Sequence, residues 1–443
     1  MKQLSLKNID VMFTEIAKQG KEAIKAYQDA RVPEIMAYVM EHSAFYKDKF
    51  RDIDVAQVKT VDDLAKLPVT TKEDLQRRNF DFICVENDKI IDYITTSGTL
   101  GNPVTFVATE NDLDRLALNE YLSFICANGS HKDIYQLMVT LDRRFMAGLA
   151  YFLGLRKLGA GIVRVGPGNP ELQFDTIRRT SSTVLVTIPS FLLKLIEYAE
   201  QNGIDYENSG IKAAVCIGEP IRDKDLNLNK LGKKIKSKWD IKLYSTYAST
   251  EMGAAFTECG ECHGGHLIPE MIIVEFLDEN DRPVKEGELG EVTITNIGVE
   301  GMPLVRFKTG DMCYHYTGNC GCGRNSLRVG PIIGRKNQMI KYKGTTLFPQ
   351  SLYDNLMDIP GVKNYLIEVS TNNIDTDDIC VKIGCEDPDP HFEKNIKDHF
   401  RARLRVAPTV EIMHPSQLEK LQFSGMNRKA VTFIDKRNGN GTH

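Results

Sequence analysis

A run of hydroxyl side chains and glycines is a first candidate for chemistry. In the segment YITTSGTLGNPVTF, a strand-like run leads into Thr95, Thr96, Ser97, Gly98, Thr99 and Gly101. Hydroxyl groups and unhindered backbone N–H groups form concave sites for phosphates. A polar surface turn has the same composition, so both interpretations stay open here. No G-x-x-x-x-G-K-[ST] occurs, and VGPGNPE and GAGIVR lack the third glycine of the dinucleotide fingerprint, which argues against a P-loop NTPase or an NAD enzyme.

A second candidate is a cluster of metal-binding residue types. Half of the ten cysteines lie between Cys259 and Cys322, together with His263 and His266. The segments ECGECHGGHLI and NCGCGR combine C-x2-C, histidine and C-x-C, and could supply four soft ligands to a tetrahedral, structural zinc. Buried free thiols are the alternative, although cysteines this dense among glycines rarely pack as core. A zinc-ribbon nucleic-acid module would show a flanking Lys/Arg and aromatic stripe, which is absent here.

Length and composition indicate what must position these residues. A chain of 443 residues with 42% apolar and 26% charged residues is typical of a globular protein with two unequal domains. The net charge of −4 argues against nucleic-acid binding. The N-terminus has no uninterrupted apolar run and no later stretch is long enough to span a membrane, so a soluble, cytoplasmic protein without membrane contact is expected.

The order of apolar runs predicts an α/β protein. STVLVTIPS followed by FLLKLIEYAEQNG is a strand and then a helix, whereas KAAVCIGEP and KLYSTYASTE place strands before small or polar residues. Ligand loops lie at such carboxyl ends of strands. Alternating strands over 270–306 predict an antiparallel subdomain, and the region from Lys336 onward predicts a separate α+β module.

These segments together resemble the adenylate-forming superfamily of acyl-CoA synthetases, adenylation domains and luciferases, and within it the phenylacetate-coenzyme A ligase family. The family's TSGTTGxP loop is matched from Thr96 to Pro103, with Leu100 and Asn102 as variants. LPVTTKEDL and FPQSLYDNLMDIPGV resemble the family's LPxTTKxDL and FPxQIExxLxxIPGV, so the likeness covers nearly the whole chain.

The resemblance implies residues for binding the nucleotide. The adenine-binding element GxEP is matched by Gly218, Glu219 and Pro220. The YGxTE element is matched by Tyr247, Ala248, Ser249, Thr250 and Glu251, with alanine in place of the glycine. In the family the tyrosine stacks on adenine, the threonine reaches the α-phosphate and the glutamate binds Mg²⁺. A flat ring and a carboxylate suit the first and last of these tasks.

Further family elements lie toward the C-terminus. RFKTGD resembles the element whose aspartate, Asp311 here, holds the ribose hydroxyls, and GRKNQMIKYKG resembles the hinge element, in which Arg335 contacts ribose and Asn337 takes the hinge position. The ending KLQFSGMNRKAVTFIDKR aligns Lys429 with the family's catalytic lysine, with Arg428 where the family has glycine. Lys420 and Lys436 stay open as alternatives.

The resemblance also indicates a substrate pocket and a set of zinc ligands. RRFMAGLA lies where the family shapes its aryl pocket, which places Phe145 and Ala147 near the acid, although a buried core turn is the alternative. Relatives with EC…H and CxCGR favour four zinc ligands, with Cys262, His263 and Cys313 as alternates. The four are Cys259, His266, Cys320 and Cys322.

We therefore expect a large, multi-subdomain adenylation domain over residues 1–335 and a small, mobile α+β domain over 336–443 that carries the lysine. The expected reaction joins a carboxylic acid, phenylacetate or a related aromatic acid, to coenzyme A with ATP and Mg²⁺, through an acyl-adenylate. The small domain would then swing and present the strand from Lys341 to Gly344 to the pantetheine tunnel. A non-CoA acceptor and a catalytically silent, zinc-stabilised binding protein are the alternatives, and a homodimer is left open.

Overall fold

The structure, a computed structural model, describes residues 16–96, 104–343, 345–356, 359–372, 377–423 and 431–437. The described chain divides into two units. The first contains residues 16–96, 104–309 and 313–332, and the second contains residues 310–312 together with the chain from Ile333 onward. Across these described ranges, no helix combines the length and apolar character that a membrane span requires.

Eight α-helices are described in the first unit. They are α1 (Lys21–His42), α2 (Ala44–Lys49), α3 (Lys72–Arg77), α4 (Glu110–Cys126), α5 (Met146–Leu158), α6 (Pro170–Thr180), α7 (Pro189–Asn202) and α8 (Lys230–Lys238). Short 3₁₀ helices lie at Val55–Gln57, Asp62–Lys66, Asn79–Phe82 and Asn87–Lys89.

The strands of the first unit form a hairpin and a large sheet. The hairpin is β1 (Asp92–Thr95) with β2 (Thr105–Ala108). The sheet contains β3 (Ile134–Leu137), β4 (Gly161–Arg164), β5 (Val184–Thr187), β6 (Ala213–Cys216), β7 (Lys242–Ser249), β8 (Ala254–Glu258), β9 (Gly265–His266), β10 (Ile272–Leu277), β11 (Gly290–Asn296), β12 (Phe307–Tyr316) and β13 (Arg328–Arg335). Its strand order is β10-β11-β12-β13-β9-β8-β7-β6-β5-β3-β4.

The strands from β7 to β4 in this order are parallel and are covered on both faces. Successive residues of β5 point to opposite sides. Leu185 packs with residues of α7 and α8, whereas Val186 packs with Phe124 of α4 and Tyr151 of α5. Burial on both faces explains why β5 and β6 are continuous apolar runs. The α/β class predicted from the sequence is confirmed.

The antiparallel strands continue the same sheet. β10 and β11 pair in register from Ile272 opposite Asn296 to Leu277 opposite Glu291. The antiparallel pattern over 270–306 is therefore correct, but these strands belong to the single sheet rather than to a subdomain with its own. The reason is that β8 turns back antiparallel to β7, so hydrogen bonding passes from the parallel to the antiparallel part without a break.

The N-terminal helical segment packs on this antiparallel part. Gln28 donates to the carbonyls of Pro269 (3.0 Å) and Ile272 (3.1 Å). The buried Tyr46 hydroxyl accepts from the Val305 N–H at 2.8 Å. The N-terminal segment and the strands near residue 305 thus share one core, to which α1 contributes Val32, Met36 and Val39.

The second unit is an α+β module. Its elements are β14 (Ile340–Tyr342), β15 (Thr345–Leu347), α9 (Pro349–Leu356), β16 (Asn364–Thr371), β17 (Asp377–Gly384), α10 (Phe392–Leu404), β18 (Thr409–Met413), α11 (Pro415–Gln422) and β19 (Phe433–Asp435), after a 3₁₀ helix at Lys336–Gln338. Four strands form a sheet in the order β18-β17-β16-β19. This arrangement agrees with the α+β module that the sequence predicts from Lys336 onward.

Candidate active site and metal centre

The loop after β6 carries the residues predicted to bind adenine. Gly218 has a φ of +73°, a left-handed conformation that favours glycine. The Glu219 carboxylate accepts hydrogen bonds from the backbone N–H (2.9 Å) and the hydroxyl (2.8 Å) of Ser190, in the first turn of α7. The residue before α7 provides no side-chain cap, and the Glu219 carboxylate accepts from the first turn of this helix instead. The loop is thereby tied to a helix N-terminus.

The neighbouring strand β7 carries the second loop. Because β6 and β7 are parallel, with Cys216 opposite Ser245, both loops leave the same edge of the sheet. The Tyr247 ring stacks on Phe256, with a centroid distance of 5.8 Å and an interplanar angle of 20°. Ala248 is exposed, and the Ser249 hydroxyl accepts from the Met252 N–H at 3.4 Å. The structure thus brings the two predicted nucleotide-binding segments to one edge.

Thr250 and Glu251 follow β7 directly and line a cavity in the first unit. The other lining groups include Met146 at the start of α5, Asp112 and Arg115 of α4, and Asn296. Both predicted catalytic side chains are half-buried. A carboxylate at the wall of a partly enclosed cavity can hold a hard cation, since oxygen is the ligand that such ions select.

Arg115 is a residue of this cavity that sequence reasoning missed. Its guanidinium donates to three backbone carbonyls, those of Gly253 (2.6 Å), Met271 (2.6 Å) and Ile297 (2.9 Å). Burial lowers its pKa to about 10, although Asp112 acts in the opposite direction. Arg115 thus fixes the chain just beyond Glu251. A signal was present in the sequence, because a single arginine interrupts the apolar spacing of α4 next to Leu116.

The residues proposed for the acid pocket are placed less directly. Phe145 is 44% exposed and lies immediately before α5, while Ala147 is half-buried and packs against the core around β3 and β5. Neither is among the residues that line the cavity with Glu251, but the intervening Met146 is. Gly148 packs tightly against the backbone, because a Cβ at this position would lie 2.0 Å from the Thr140 carbonyl oxygen and would clash with it.

Thr96 is the one residue of the segment matching the family's TSGTTGxP loop that lies inside the described chain. Its N–H donates to the Val104 carbonyl at 3.0 Å, and its hydroxyl accepts from the Val104 N–H at 3.2 Å. These bonds join the two ends of segment 97–103. The other predicted phosphate-binding residues of this segment, Ser97, Gly98, Thr99 and Gly101, lie outside the described residues, as does Lys429.

The two predicted ribose contacts lie together. The Arg335 Nε is 3.5 Å from the Asp311 Oδ1. Gly310, just before the aspartate, has a φ of +80°. Arg306, which begins the RFKTGD segment, is instead a buried structural residue, paired with Glu275 at 3.0 Å.

The alternatives to Lys429 differ in their surroundings. The Lys436 Nζ forms an ion pair with Glu368 at 2.8 Å, whereas Lys420 is exposed on α11. Lys436 is therefore ion-paired with a carboxylate on β16.

The metal-binding residue types converge as the resemblance implied. One ligand atom from each of Cys259, His266, Cys320 and Cys322 lies within 4.8 Å of all the others. The Sγ atoms of Cys259 and Cys320 are 3.6 Å apart, and the Cys322 Sγ is 3.5 Å from the His266 Nε2. Cys259 follows β8, His266 is on β9, and the other two lie between β12 and β13. Three thiols and one imidazole in this spacing match the donor set of a structural zinc.

The surroundings favour the metal-binding protonation state of His266 and Cys322, whereas burial raises the pKa of the Cys259 thiol, which would have to lose its proton on binding a metal. Burial, with Arg324 and Arg328 nearby, lowers the pKa of His266 to about 3, so its imidazole is neutral. Burial alone would raise the pKa of Cys322, but hydrogen bonds from the backbone and side chain of Arg324 outweigh it and lower that pKa. The Ser326 hydroxyl lies 3.5 Å from the His266 Nδ1 and can fix the ring orientation.

The alternate ligands do not join the group. Within the part of the chain that the structure describes, the cluster holds the four favoured residues without Cys262, His263 or Cys313. Cys262 has a φ of +58° and its thiol lies near the carbonyls of Leu243 and Gly260. Cys126, which sequence reasoning did not consider, packs against Cys259 and Cys320.

Comparison with known proteins gives consistent matches. The family model described as "AMP-binding enzyme" matches residues 9–301, and "AMP-binding enzyme C-terminal domain" matches residues 344–437. The chain is 26% identical over 381 residues to the phenylacetate-coenzyme A ligase of Thermus thermophilus, covering 84% of each chain. It is 25% identical over 439 residues to that of Aromatoleum evansii, covering 95% of this chain and 96% of the relative.

Solved structures share the fold. A 2-hydroxyisobutyryl-CoA ligase in the postadenylation state, in complex with 2-HIB-AMP, superposes with a TM-score of 0.78 at 20% identity, over 94% of this chain and 90% of that one. An anthranilate CoA ligase in complex with anthranoyl-AMP gives a TM-score of 0.56 at 15% identity, over 74% and 64%.

Proposed function

Because this chain belongs to the AMP-binding enzyme family, we propose that it is an ATP-dependent carboxylate–CoA ligase acting on phenylacetate or a related aromatic acid. The acid's carboxylate oxygen attacks the α-phosphorus of ATP, and pyrophosphate leaves. The CoA thiolate then attacks the acyl carbon of the acyl-adenylate, and AMP leaves with the bonding electron pair. The products are acyl-CoA, AMP and pyrophosphate.

The observation that carries this proposal is the pairing of two loops at one sheet edge. Gly218 to Pro220 follow β6, whereas Tyr247 to Ser249 form the end of the adjacent parallel strand β7 and Thr250 and Glu251 follow it. Ligands bind at such carboxyl ends of strands in open α/β sheets. Curated relatives named phenylacetate-coenzyme A ligase match this chain over most of their length. The relatives' names are the support for an aromatic acid.

In this proposal each nucleotide-binding residue keeps the role that the resemblance implies. Segment Thr96 to Gly101 binds phosphates, and Tyr247 supplies a stacking face to adenine. Thr250 reaches the α-phosphate. Asp311 and Arg335 contact ribose, and their observed proximity of 3.5 Å is compatible with a shared ligand. Glu251 would hold Mg²⁺, which when bound would neutralise phosphate charge.

The acid would occupy the space near the start of α5. Phe145 and Ala147 remain candidates for contacts with it. Met146 is a third candidate, because it lines the cavity that also contains Thr250 and Glu251. A flexible thioether next to the reacting groups can adapt to the shape of an aromatic ring.

The small domain would supply the cation for adenylation. We place its boundary at residues 335 and 336 and assign the catalytic role to Lys429. Lys420 and Lys436 remain the alternatives; the Lys436 Nζ has Glu368 as its partner, a half-exposed ion pair that binding to a phosphate would have to replace. A cytoplasmic location remains a prediction from the sequence, and a homodimer is left open.

The cluster of Cys259, His266, Cys320 and Cys322 would hold a structural zinc. Four protein ligands would complete a tetrahedral shell and leave no position for a reacting water. Burial of the cluster and the neutral state of His266 support this assignment. The zinc would fasten the turn between β12 and β13 to β8 and β9.

The test is ATP–pyrophosphate exchange across a panel of carboxylic acids, followed by AMP release with and without CoA. We expect exchange to be strongest with phenylacetate or another aromatic acid, and AMP turnover to require CoA. If no acid of the panel supports exchange, the ligase function is rejected. AMP turnover without CoA would indicate a different acceptor.

A further inference from the structure

Arg437, the last described residue of the chain, contacts three separate segments of the second unit. Its guanidinium donates to the Met339 carbonyl at 2.6 Å and to the Asn337 carbonyl at 2.9 Å. It also donates to Asp377 at 3.1 Å and to both oxygens of Asp435, at 2.6 and 2.9 Å. One side chain therefore joins the C-terminal strand, the start of β17 and the chain that enters β14.

Asp377 extends these contacts to the next backbone group. Its Oδ2 accepts the Lys341 N–H at 2.6 Å, in addition to the bond from Arg437. The backbone groups of residues 337, 339 and 341 are thus all held by the same arginine–aspartate pair. We call Arg437 and Asp377, with the backbone groups they bind, the entry clamp.

The surroundings make the entry clamp rigid. The side chains of Arg437, Asp377 and Asp435 are only 14–16% exposed, so solvent competes weakly for their hydrogen bonds. Burial alone would raise the pKa of Asp435, but the bonds from Arg437 outweigh it and lower that pKa. Ile340 and Tyr342 are buried in the core of the second unit on either side of Lys341. Planar, bidentate contacts of this kind specify geometry as well as adding stability.

From these contacts we infer that Arg437 is a positioning residue that makes residues 337–341 move as one body with the second unit. A backbone segment whose carbonyls and N–H are bound to one unit cannot absorb a rotation of that unit. Any reorientation in the two-step reaction must then take place at or before the Asn337 Cα–C bond. This inference rests on the proposed function, because only a ligase that alternates between two half-reactions needs such a rotation.

The clamp should matter most for the second half-reaction. It holds Lys341, whose strand the resemblance assigns to the CoA-binding pose. A loosened strand would present CoA with an imprecise surface, and small misplacements can lower a rate by about 10²-fold. Adenylation should depend less on it, because that step does not use this strand.

Arg437→Met removes the clamp while keeping much of the side-chain length. The matched control is Arg401→Met, since Arg401 is an exposed arginine on α10 whose side chain pairs with Asp398 at 2.7 Å. Hydrogen exchange of the peptide covering residues 336–343 is measured for both variants of the full chain. We expect exchange at least about tenfold faster in Arg437→Met and unchanged in the control, since charge-assisted bonds are lost in the first alone.

Both half-reactions are then assayed separately. With Arg437→Met we expect thioester formation from synthetic acyl-AMP and CoA to fall at least about tenfold, with ATP–pyrophosphate exchange within about threefold of the parent. Arg437→Lys keeps the charge without the planar fork and should give an intermediate loss. Asp377→Asn keeps an acceptor for the Lys341 N–H. It should also lower thioester formation more than ATP–pyrophosphate exchange, but by a smaller factor than Arg437→Met.

Unchanged hydrogen exchange in Arg437→Met would overturn the clamp, whatever the activities. Faster exchange with equal loss of both half-reactions would reduce Arg437 to a general structural role and would also overturn the proposal. If the parent protein activates no acid, the proposed function fails, and the exchange measurement still decides whether residues 337–341 are held by Arg437.

Discussion

Glu251 is the single residue on which the proposed chemistry depends most directly. It follows β7 and lines the cavity together with Thr250. Arg115 donates to the Gly253 carbonyl and so holds the chain just after Glu251. Glu251→Gln keeps the shape and removes the charge that would bind Mg²⁺. We expect adenylation to fall by roughly 10²–10³-fold, the scale for one preorganised electrostatic contact. The measurement is ATP–pyrophosphate exchange with the best acid.

The control for Glu251→Gln is Glu279→Gln. Glu279 is an exposed residue of the turn after β10 and should leave exchange unchanged. Near-normal exchange in Glu251→Gln would refute the Mg²⁺ role of this carboxylate. Equal losses in the two variants would indicate an effect of net charge instead.

Glu120 gives a pH dependence that can be traced to one buried group. It lies on α4 between Asn119, whose Nδ2 donates to it at 3.0 Å, and the buried Tyr151. Burial raises the pKa of Glu120 to about 8 from its ordinary value of 4.5. Between these two values the folded state holds a proton that the unfolded state has lost. The free energy of unfolding therefore falls as the pH rises through this window.

Glu120→Gln removes this titration. Urea unfolding at pH 6 and pH 9 should show a smaller loss of stability in the variant than in the parent, by at least about 1 kcal/mol. Glu270 has a pKa raised to about 8 for the same reason, so part of the dependence will remain. Identical pH dependence in parent and variant would show that Glu120 does not titrate in this window.

The distant backbone partners of a buried side chain could not be predicted from the sequence, even where the residue itself stands out. Arg115 bonds to carbonyls 138 to 182 residues away, and Glu219 contacts the first turn of a helix 29 residues before it. A local motif contains no information about which carbonyls a buried arginine will meet. The nucleotide-binding residues stay predictions, and they could be named from the sequence because each stands in a short segment that resembles a motif of the family.

At the scale of elements, the metal cluster joins two hairpins of the sheet. Cys320→Ser would remove one of four ligands and leave the turn between β12 and β13 unfastened from β8. We expect protein purified without added zinc to contain about one zinc per chain, with Zn–S distances near ~2.3 Å, and the variant to lose the metal and much of its stability. Elemental analysis, X-ray absorption and thermal unfolding measure these quantities.

A matched cysteine separates metal loss from thiol loss. Cys380 is a half-buried cysteine of β17 outside the cluster, and Cys380→Ser should keep the zinc. A parent protein that is free of metal and equally stable would contradict the zinc site. Loss of zinc in both variants would point to unfolding rather than to a specific ligand.

The patterns that predict elements correctly are local ones. β5 with α7, and the α+β character of the second unit, follow from apolar spacing and helix boundaries. The pairing of strands that are far apart in the sequence does not follow from local patterns, which is why the sequence predicts a separate subdomain for the antiparallel strands after residue 270. The C-x2-C spacing similarly left Cys262 open as a ligand, because spacing alone does not reveal the positive φ that accompanies its position outside the cluster.

For the whole molecule, the decisive prediction concerns Lys429 and the two half-reactions. If the small domain brings this ammonium to the phosphates only during adenylation, Lys429→Ala should abolish most exchange while thioester formation from synthetic acyl-AMP and CoA continues. The cation is needed where negative charge develops between the α- and β-phosphates. Both assays are run on the same preparation of the variant.

Lys420→Ala is the comparison for Lys429→Ala. Loss of exchange in Lys420→Ala alone would move the catalytic role to that residue. Equal loss of both half-reactions in Lys429→Ala would mean misfolding or a single fixed active site. If Lys429→Ala loses neither half-reaction, Lys429 has no role in the mechanism.

The packing of the N-terminal helices on distant strands has a consequence for synthesis on the ribosome. Gln28 is hydrogen-bonded to Pro269, which is synthesised 241 residues later. Tyr46 is hydrogen-bonded to Val305, which is synthesised 259 residues later. At ~5–20 residues per second, the nascent chain waits roughly 10–50 s before these partners exist. During that time the core to which α1 contributes Val32, Met36 and Val39 has its N-terminal members, such as Phe45 and Phe82, but lacks the later strands that complete it. We expect nascent-chain chaperones to occupy this segment until the antiparallel strands emerge.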